Sequence, residues 1–430
     1  MKKVLIIAYY WPPAGGPGVQ RWLKFVKYLP DFGIQPIVYV PENAYYPLTD
    51  EDLQKDIPRD TVVIKHPIKE PYRFASLFSG KNTRNISSGI IKASGKQTLA
   101  EKILLYIRGN FFIPDARIAW VAPSVQHLSE YLKSNHVDAV ITTGPPHSMH
   151  LIGKQLQEQL GIKWVADFRD PWTTIGYHKE LKLTQKSAQK HKELEKAVLN
   201  KADVILTTSF TTKKEFEELT SKPVYVVTNG YDVETVEKPP LDEKFTMSHI
   251  GSLLSKRNPR ILWKALKEIV KEHPQFRHDF QLRLIGKVSN DIIETLKEFR
   301  LDSYLQLIGY VSHTEALKYQ RSSQLLLLIE IDSFETTGII PGKLFEYMAA
   351  ERPIVAIGPQ ESDVEKIIRD TNTGKYFYYD DLDSVKEYIL SCYEMYRKKQ
   401  LKVNGIGLQY YSRKKLTEKL AGILKKNVFI

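Results

Sequence analysis

Lys343 and Glu346 stand three residues apart in "ETTGIIPGKLFEYMAAERPIVAIGP" (residues 335–359), between a glycine turn and a short apolar run. A lysine at a helix start adds a full charge to backbone N–H groups that already favour an anion. A glutamate one turn on shares that face and can accept two hydroxyl hydrogen bonds, as from a ribose diol. Diphosphate at one end and a diol at the other describe a nucleotide. The same residues could equally form a solvated pair on a helix surface, and their types and spacing leave both readings open.

Other stretches carry chemistry of the same kind. "WVADFRDPW" (164–172) closes an apolar run with Asp167, Arg169 and Asp170. These could hold a carboxylate beside an attacking hydroxyl, or brace a loop as a buried Asp–Arg pair. His147 follows the Gly-Pro-Pro turn of "TGPPHSMH" and is the other candidate there, whereas His150 reads as an ordinary helix residue. Gly15 and Gly16 in "WPPAGGPG" lack a Cβ and would let a loop approach a ligand, or serve a plain strand-to-helix turn. "TDED" and "DDLD" contain Asp-x-Asp but read as solvated turns, so no metal is expected. Cys392 is the single cysteine, which rules out an internal disulfide and a multi-cysteine metal site and fits a reducing compartment.

The elements that must position these residues follow from the apolar pattern. "KVLIIAYY" is a continuous apolar run, as a strand buried on both faces needs. Val19, Leu23, Val26 and Leu29 in "VQRWLKFVKYLPDFG" recur at helical spacing, and "IQPIVYV" is a second strand. Strand, helix and strand with tight turns make a parallel βαβ unit, and the cycle recurs through "VDAVITTG", "IKWVADF", "ADVILTTS" and "PVYVVTNG". It restarts after "NGYDVETVEKPPLDEKF" with the strands "FTMSHIGSL", "FQLRLIG", "YLQLIGYV" and "QLLLLIEI" and the helices "NPRILWKALKEIVKEH" and "SHTEALKYQRSS". Two doubly wound α/β domains are expected, with Pro239-Pro240 as the linker. The first spans 1–238 and includes a basic, aromatic and irregular insertion at about 45–120, with a helix at "TLAEKILLYIRGNFF". The second spans 241–405. A basic helix from Gln409 to Lys426 ends the chain and could pack back on the first domain. Such sheets bind ligands at the carboxyl ends of their strands, and two facing sheets leave a cleft for a small molecule.

The net charge is +12, and ten Lys/Arg against four Asp/Glu fall between Asp60 and Trp120. An anionic partner suits this: phosphates, nucleic acid or an anionic membrane face. No nucleic-acid reading module accompanies the charge, so a nucleic-acid partner is not expected. "PAGGPGVQRW" lacks the glycine spacing of a nicotinamide-binding turn. No window approaches 18 uninterrupted apolar residues, and the first apolar run is short for a signal peptide core. A cytoplasmic protein is expected, with the inner face of the membrane open to it.

"PGKLFEYMAAERPIVA" resembles the donor-nucleotide motif of retaining GT-B glycosyltransferases of family four. "YYWPPAGGPGVQRWLKFVKYL" is similar to that family's first glycine loop, "ADVILTTS" with "VVTNGYD" to its interdomain segment, "HIGSLLSKRN" to its phosphate loop and "LIGYVSHTEALKYQRSS" to its nucleobase-side loop. The five occur in the family's order over nearly the whole chain. The resemblance implies a GT-B fold and transfer of a sugar, with retention, from a UDP- or GDP-linked donor to a hydroxyl, without metal or other cofactor. It implies that Glu346 holds the ribose, that Lys256 or Arg257 meets the diphosphate, and that Lys343, after Gly342, is a second phosphate contact. Val311 would meet the base through its backbone. Gly15 and Gly16 would approach the phosphates and sugar, and Asp167, Arg169, Asp170 and His147 would orient the acceptor. That acceptor would be a glycan or a lipid-linked sugar of cell-surface polysaccharide or lipopolysaccharide assembly. The basic insertion, with "ILLYIRGNFFIPDARIAW", would then touch anionic lipid. Two positions depart from the pattern. Gly338 stands where the family's first motif glutamate addresses the donor sugar, and Ser252 where many members keep an arginine. A non-hydrolysing sugar-nucleotide epimerase shares the architecture and is the rival enzyme; a non-enzymatic nucleic-acid-binding protein is the rival of another kind.

Overall fold

The computed structural model describes residues 1–46, 48–70, 99–232 and 239–429. The chain divides into two compact units, Met1–Asn229 with Arg413–Ile430, and Gly230–Ser412. The division thus falls ahead of the Pro239-Pro240 linker expected from sequence, and residues 233–238 lie outside the described set.

The first unit carries, among its described residues, seven parallel strands: β1 (Lys2–Ile7), β2 (Ile34–Pro41), β3 (Val62–His66), β4 (Ala139–Gly144), β5 (Trp164–Phe168), β6 (Val204–Thr207) and β7 (Val224–Val226), in the order β3-β2-β1-β4-β5-β6-β7. Helices are α1 (Pro17–Tyr28), α2 (Leu99–Phe111), α3 (Val121–Ser134), α4 (Ser148–Leu160), α5 (Gln185–Lys201), α6 (Phe210–Leu219) and, from the end of the chain, α14 (Arg413–Asn427). Alternate residues of β1 enter opposite cores, as the pleat requires. Leu5 and Ile7 join Trp120, Met149 and Trp164 on one face. Val4 and Ile6 join Trp22, Leu23, Leu420 and Leu424 on the other. Helix α14 therefore completes a core of the first unit, and Arg413 donates to the Gln20 side chain at 2.6 Å. Sequence placed its helical start at Gln409, but Leu408–Tyr411 is a separate 3-10 turn.

The stretch read as an irregular insertion holds β3, which pairs in parallel with β2 from Ile37↔Val62 to Pro41↔His66. Strand β3 is an edge strand with no fully buried residue, so it lacks the apolar run that betrays the others.

The second unit has six parallel strands among its described residues: β8 (Phe245–Ile250), β9 (Phe280–Ile285), β10 (Leu305–Ile308), β11 (Leu325–Ile329), β12 (Ile354–Ile357) and β13 (Gly374–Phe377), in the order β10-β9-β8-β11-β12-β13. Its helices are α7 (Arg260–Glu272), α8 (Pro274–Asp279), α9 (Asn290–Glu298), α10 (His313–Ser322), α11 (Lys343–Ala349), α12 (Asp363–Thr371) and α13 (Leu382–Arg397). In each unit the strand order reverses beside the first strand, between β1 and β4 and between β8 and β11. Loops leaving those strands diverge and open a crevice at their carboxyl ends.

Candidate functional site

In the second unit, β8 ends at Gly251, whose φ of 115° lies where side chains strain the backbone. A Cβ there would stand 2.9 Å from the Lys343 Nζ. The lysine therefore reaches back from α11 onto the glycine loop. It gets there because the Ile250 N–H donates to the Tyr347 hydroxyl at 2.9 Å, which pins α11 against β8. The Lys343 Nζ lies 3.2 Å from His249 Nε2. His249 is buried, and its Nδ1 lies 3.0 Å from the Leu327 carbonyl, which can only accept. The proton is thus on Nδ1, leaving Nε2 as an acceptor for the lysine. Burial pushes Lys343 down to about 7; the nearby Arg257 adds to this and Glu346 opposes it.

The loop after Gly251 is anchored by Leu253, fully buried, whose N–H donates to Lys287 O at 2.9 Å. The next turn, Ser255–Arg257, separates the two basic candidates. Lys256 is exposed; Arg257 is half-buried, and its Nε is sealed from solvent without a hydrogen-bond partner. Arg257 is therefore the cation turned toward Lys343. Gly342, by contrast, has an ordinary helical φ of −56° and open space around it, so neither strain nor crowding demands glycine there. Helix α11 is only seven residues long, so its dipole is small and the charge on Lys343 matters more.

Glu346 faces α10: its Oε1 lies 3.0 Å from His313 Nε2, and its Oε2 accepts from Gln320 Nε2 at 2.9 Å. Val311 sits half-buried in the turn just before α10, whose Ser312 cap and Glu315 form a capping box. His249, His313 and Gln320 carry no local signal in the sequence, because their partners lie 94, 33 and 26 positions away.

In the first unit, β5 ends in Asp167 and Phe168, then Arg169 and Asp170. Asp167 is corrected by the structure. It is fully buried, with Oδ1 accepting from Arg21 Nη2 at 2.7 Å and Oδ2 from Trp22 Nε1 at 2.7 Å, Thr143 Oγ1 at 2.9 Å and Arg21 Nε at 3.2 Å. Burial pushes this carboxyl up, but Arg21 and the other donors outweigh it and hold it below its usual range. It ties α1 to β5 and presents nothing to a substrate. The buried Asp–Arg brace expected as the alternative reading of this stretch is made by Asp167 with Arg21.

Arg169 turns the other way. It donates to the carbonyls of Gly144 and Pro145, lies over the Tyr10 ring at 5.8 Å, and packs its guanidinium where a side chain on Gly18 would be. Gly18, rather than Gly15 or Gly16, is thus the glycine that admits a charged group. Gly16 has φ 96° and caps α1, while Gly15 donates its N–H to Leu48 O at 2.9 Å. Asp170 is half-buried, and its carboxylate has no hydrogen-bond partner among the described residues. Burial pushes it up, with Arg169 opposing.

His147 precedes α4. It is 4% exposed, stacked on Trp172 at 4.8 Å, and both its ring nitrogens lack partners. Burial, then His150 and Arg169, hold it well below the usual histidine range, so it is neutral. His150 lies inside α4 and its Nδ1 bonds Thr142 Oγ1 at 2.9 Å. Arg169, Asp170 and His147 therefore gather where β4 and β5 end, while the Asp167 carboxylate is taken up by Arg21, Trp22 and Thr143. Among the described residues no three His, Cys, Asp or Glu side chains cluster as a metal site would need, and no helix is long and apolar enough to cross a membrane.

Comparison with known proteins places this geometry. Residues 18–235 match the family described as Glycosyltransferase Family 4, and residues 244–395 match Glycosyl transferases group 1. No curated protein matches the chain. Among solved structures, Anabaena HepE in complex with UDP and glucose aligns with a TM-score of 0.61 at 13% identity, over 99% of this chain and 100% of that one. The lipopolysaccharide outer core galactosyltransferase WaaB aligns at 0.58 and 13%, over 99% of each chain. Sucrose-phosphate synthase of Thermosynechococcus elongatus aligns at 0.55 and 14%, over 99% and 98%. These likenesses are of fold: two Rossmann-like doubly wound α/β domains, the GT-B class. The first family match, over residues 18–235, by itself spans half the chain, and the chain belongs to glycosyltransferase family 4.

Proposed function

We propose that this protein is a retaining, metal-independent glycosyltransferase, moving a hexose from a UDP- or GDP-sugar to a hydroxyl of a glycan or lipid-linked acceptor in cell-surface polysaccharide or lipopolysaccharide assembly. The observation that carries this reading is the pair of cations, Lys343 and Arg257, held beside the glycine loop after β8 with Glu346 one turn away. A diphosphate has the charge for the first two and a ribose the diol for the third. Membership of a transferase family favours this over the epimerase reading. The bond from the anomeric carbon to the diphosphate breaks, and a bond from the acceptor oxygen forms on the same face. The acceptor proton passes to a diphosphate oxygen. The protein's part is to stabilise the leaving diphosphate with Lys343 and Arg257 and to align the acceptor, a role we give to Asp170, Arg169 and neutral His147. No further cofactor is invoked.

A second observation supports contact with an anionic membrane surface. Leu99, Ile103, Tyr106, Ile107 and Phe111 form an exposed apolar stripe on α2, with Leu99 and Phe111 at 76% and 72% exposure. The other side of α2 packs Leu105 against Leu181. Asn110 at its end bonds Lys182 O and the Thr184 N–H that begins α5, where Lys186, Lys190, Lys192, Lys196 and Lys201 are all exposed. An apolar stripe beside a lysine-rich helix suits the boundary of an anionic bilayer.

The test is a thermal-shift and calorimetric panel of UDP, GDP and their hexose conjugates on wild type and Glu346→Ala. One nucleotide series should stabilise the wild type, and the variant should bind it about tenfold to a hundredfold more weakly, the worth of hydrogen bonds to a charged group. A folded wild type that binds none of them would sink the reading.

A further inference from the structure

Glu330 follows the last residue of β11, the strand next to β8 where the order of the sheet reverses. Its side chain is 5% exposed, and the protein uses it lopsidedly. Oε2 lies 2.7 Å from the Tyr376 hydroxyl and accepts from Ser362 Oγ at 2.9 Å. Oε1 has no hydrogen-bond partner among the described residues and keeps contact with solvent. The one free oxygen of this buried acid is therefore the part that reaches outward.

The rest of the residue is held firmly. The Tyr379 hydroxyl donates to the Glu330 carbonyl at 2.7 Å. Gly358 is bare of a side chain where a Cβ would stand 2.6 Å from Glu330 Oε2 and closer still to the Tyr376 hydroxyl. Asp167 shows how this same chain treats an acid whose role is to brace: both oxygens are bonded, by four donor atoms. A buried carboxyl left half-bonded carries a desolvation cost that a brace would not leave standing. Burial pushes Glu330 up to about 7, with Tyr376, Ser362 and Arg257 opposing.

Four charges of the second unit neighbour one another in turn. Glu346 and Arg257 both act on Lys343, and Arg257 acts on Glu330. The order is acid, cation, cation, acid. A nucleotide-sugar reads in the same order: ribose diol, two phosphates, then the hydroxyls of the transferred sugar. Gly338, where the family's sugar-facing glutamate would stand, leaves that last place without an acid from the motif. Asp332 and Glu335 are nearby in sequence but exposed on the loop.

Resting on the function proposed above, we infer that Glu330 Oε1 accepts a hydrogen bond from a hydroxyl of the donor's sugar and so helps decide which sugar is taken. Titration calorimetry with UDP, GDP, UDP-glucose, UDP-galactose and GDP-mannose on wild type, Glu330→Gln and Glu330→Ala tests this. In Glu330→Gln the Tyr376 and Ser362 hydroxyls hold the amide oxygen, so an NH2 replaces Oε1 and the acceptor is lost. Both variants should bind the bare nucleoside diphosphate within about twofold of wild type, which also reports a folded site. They should bind the preferred hexose conjugate about tenfold or more weakly and discriminate less between the two UDP-hexoses. An unchanged ratio of conjugate to diphosphate affinity, or an equal loss of both, would overturn the role of Glu330 alone. A wild type that binds no probe would overturn the donor-site reading and this inference with it.

Discussion

Nucleotide binding should be linked to a proton on Lys343. In the free protein burial brings its ammonium down to about 7, with Arg257 adding to the shift and Glu346 resisting it. A diphosphate placed beside it favours the charged form and raises that value again. Between pH 7 and pH 8 the charged fraction in the free protein drops from about a half to about a tenth, so affinity should fall about fivefold and the proton taken up on complex formation should rise from about a half to about nine-tenths. The window lies above the phosphate's own titration near pH 6. Glu330 titrates in the same range, so the measurement belongs in Glu330→Gln. Calorimetry in two buffers of different ionisation enthalpy gives the proton count directly. Lys343→Met should bind more weakly, with no uptake and a flat pH profile. A flat profile in the Lys343 protein, or equal uptake without the lysine, would refute the placement of this ammonium at the diphosphate. Stability runs the other way. Lys343 in the fold sits below its unfolded value of 10.5, so between about 7 and 10.5 the unfolded chain holds more protons and this group's contribution rises with pH. Glu330 in the fold sits above its ordinary 4.5, so its contribution is present below 4.5 and is lost as pH rises through about 7.

Asp167→Ala leaves Arg21 charged, buried and without its carboxylate. It should cost about 3–5 kcal/mol, read as a fall in urea midpoint, whereas a loss below 1 kcal/mol would deny the brace. Gly251→Ala places a Cβ at φ 115° and 2.9 Å from the Lys343 Nζ. It should cost about 1–3 kcal/mol in strain and weaken nucleoside diphosphate binding as well; normal binding would mean that the lysine does not need that glycine. Ile103→Glu with Ile107→Glu on the exposed stripe of α2 should leave the melting temperature within about 2 °C and abolish sedimentation with anionic phosphatidylserine vesicles, since single exposed substitutions scarcely affect stability. Wild type that fails to sediment at low salt would remove the membrane from the picture.

Most of the fold could be read from the chain because its middle strands are buried on both faces. "KVLIIAYY", "VDAVITTG" and "QLLLLIEI" each carry a run of apolar residues that enters both faces, and each is a central strand. What escaped is what lies at edges or carries charge. Strand β3 has no buried residue, and α5 reads "QKSAQKHKELEKAVLNK", where few apolar positions mark the inner face. The site divides in the same way. Lys343 and Glu346 were visible because a helix turn relates them locally. Asp167 misled because its partner, Arg21, lies 146 positions away, and a strand-end acid looks the same in sequence whether it braces or binds. Glu330 was invisible for the converse reason: it closes an apolar strand and shows no motif. The two acids are told apart only by what their oxygens touch. Asp167 has both satisfied and must be structural. Glu330 has one satisfied and one open to solvent, and a protein that already bears the cost of burying a carboxyl gains from it only if something else completes the bond.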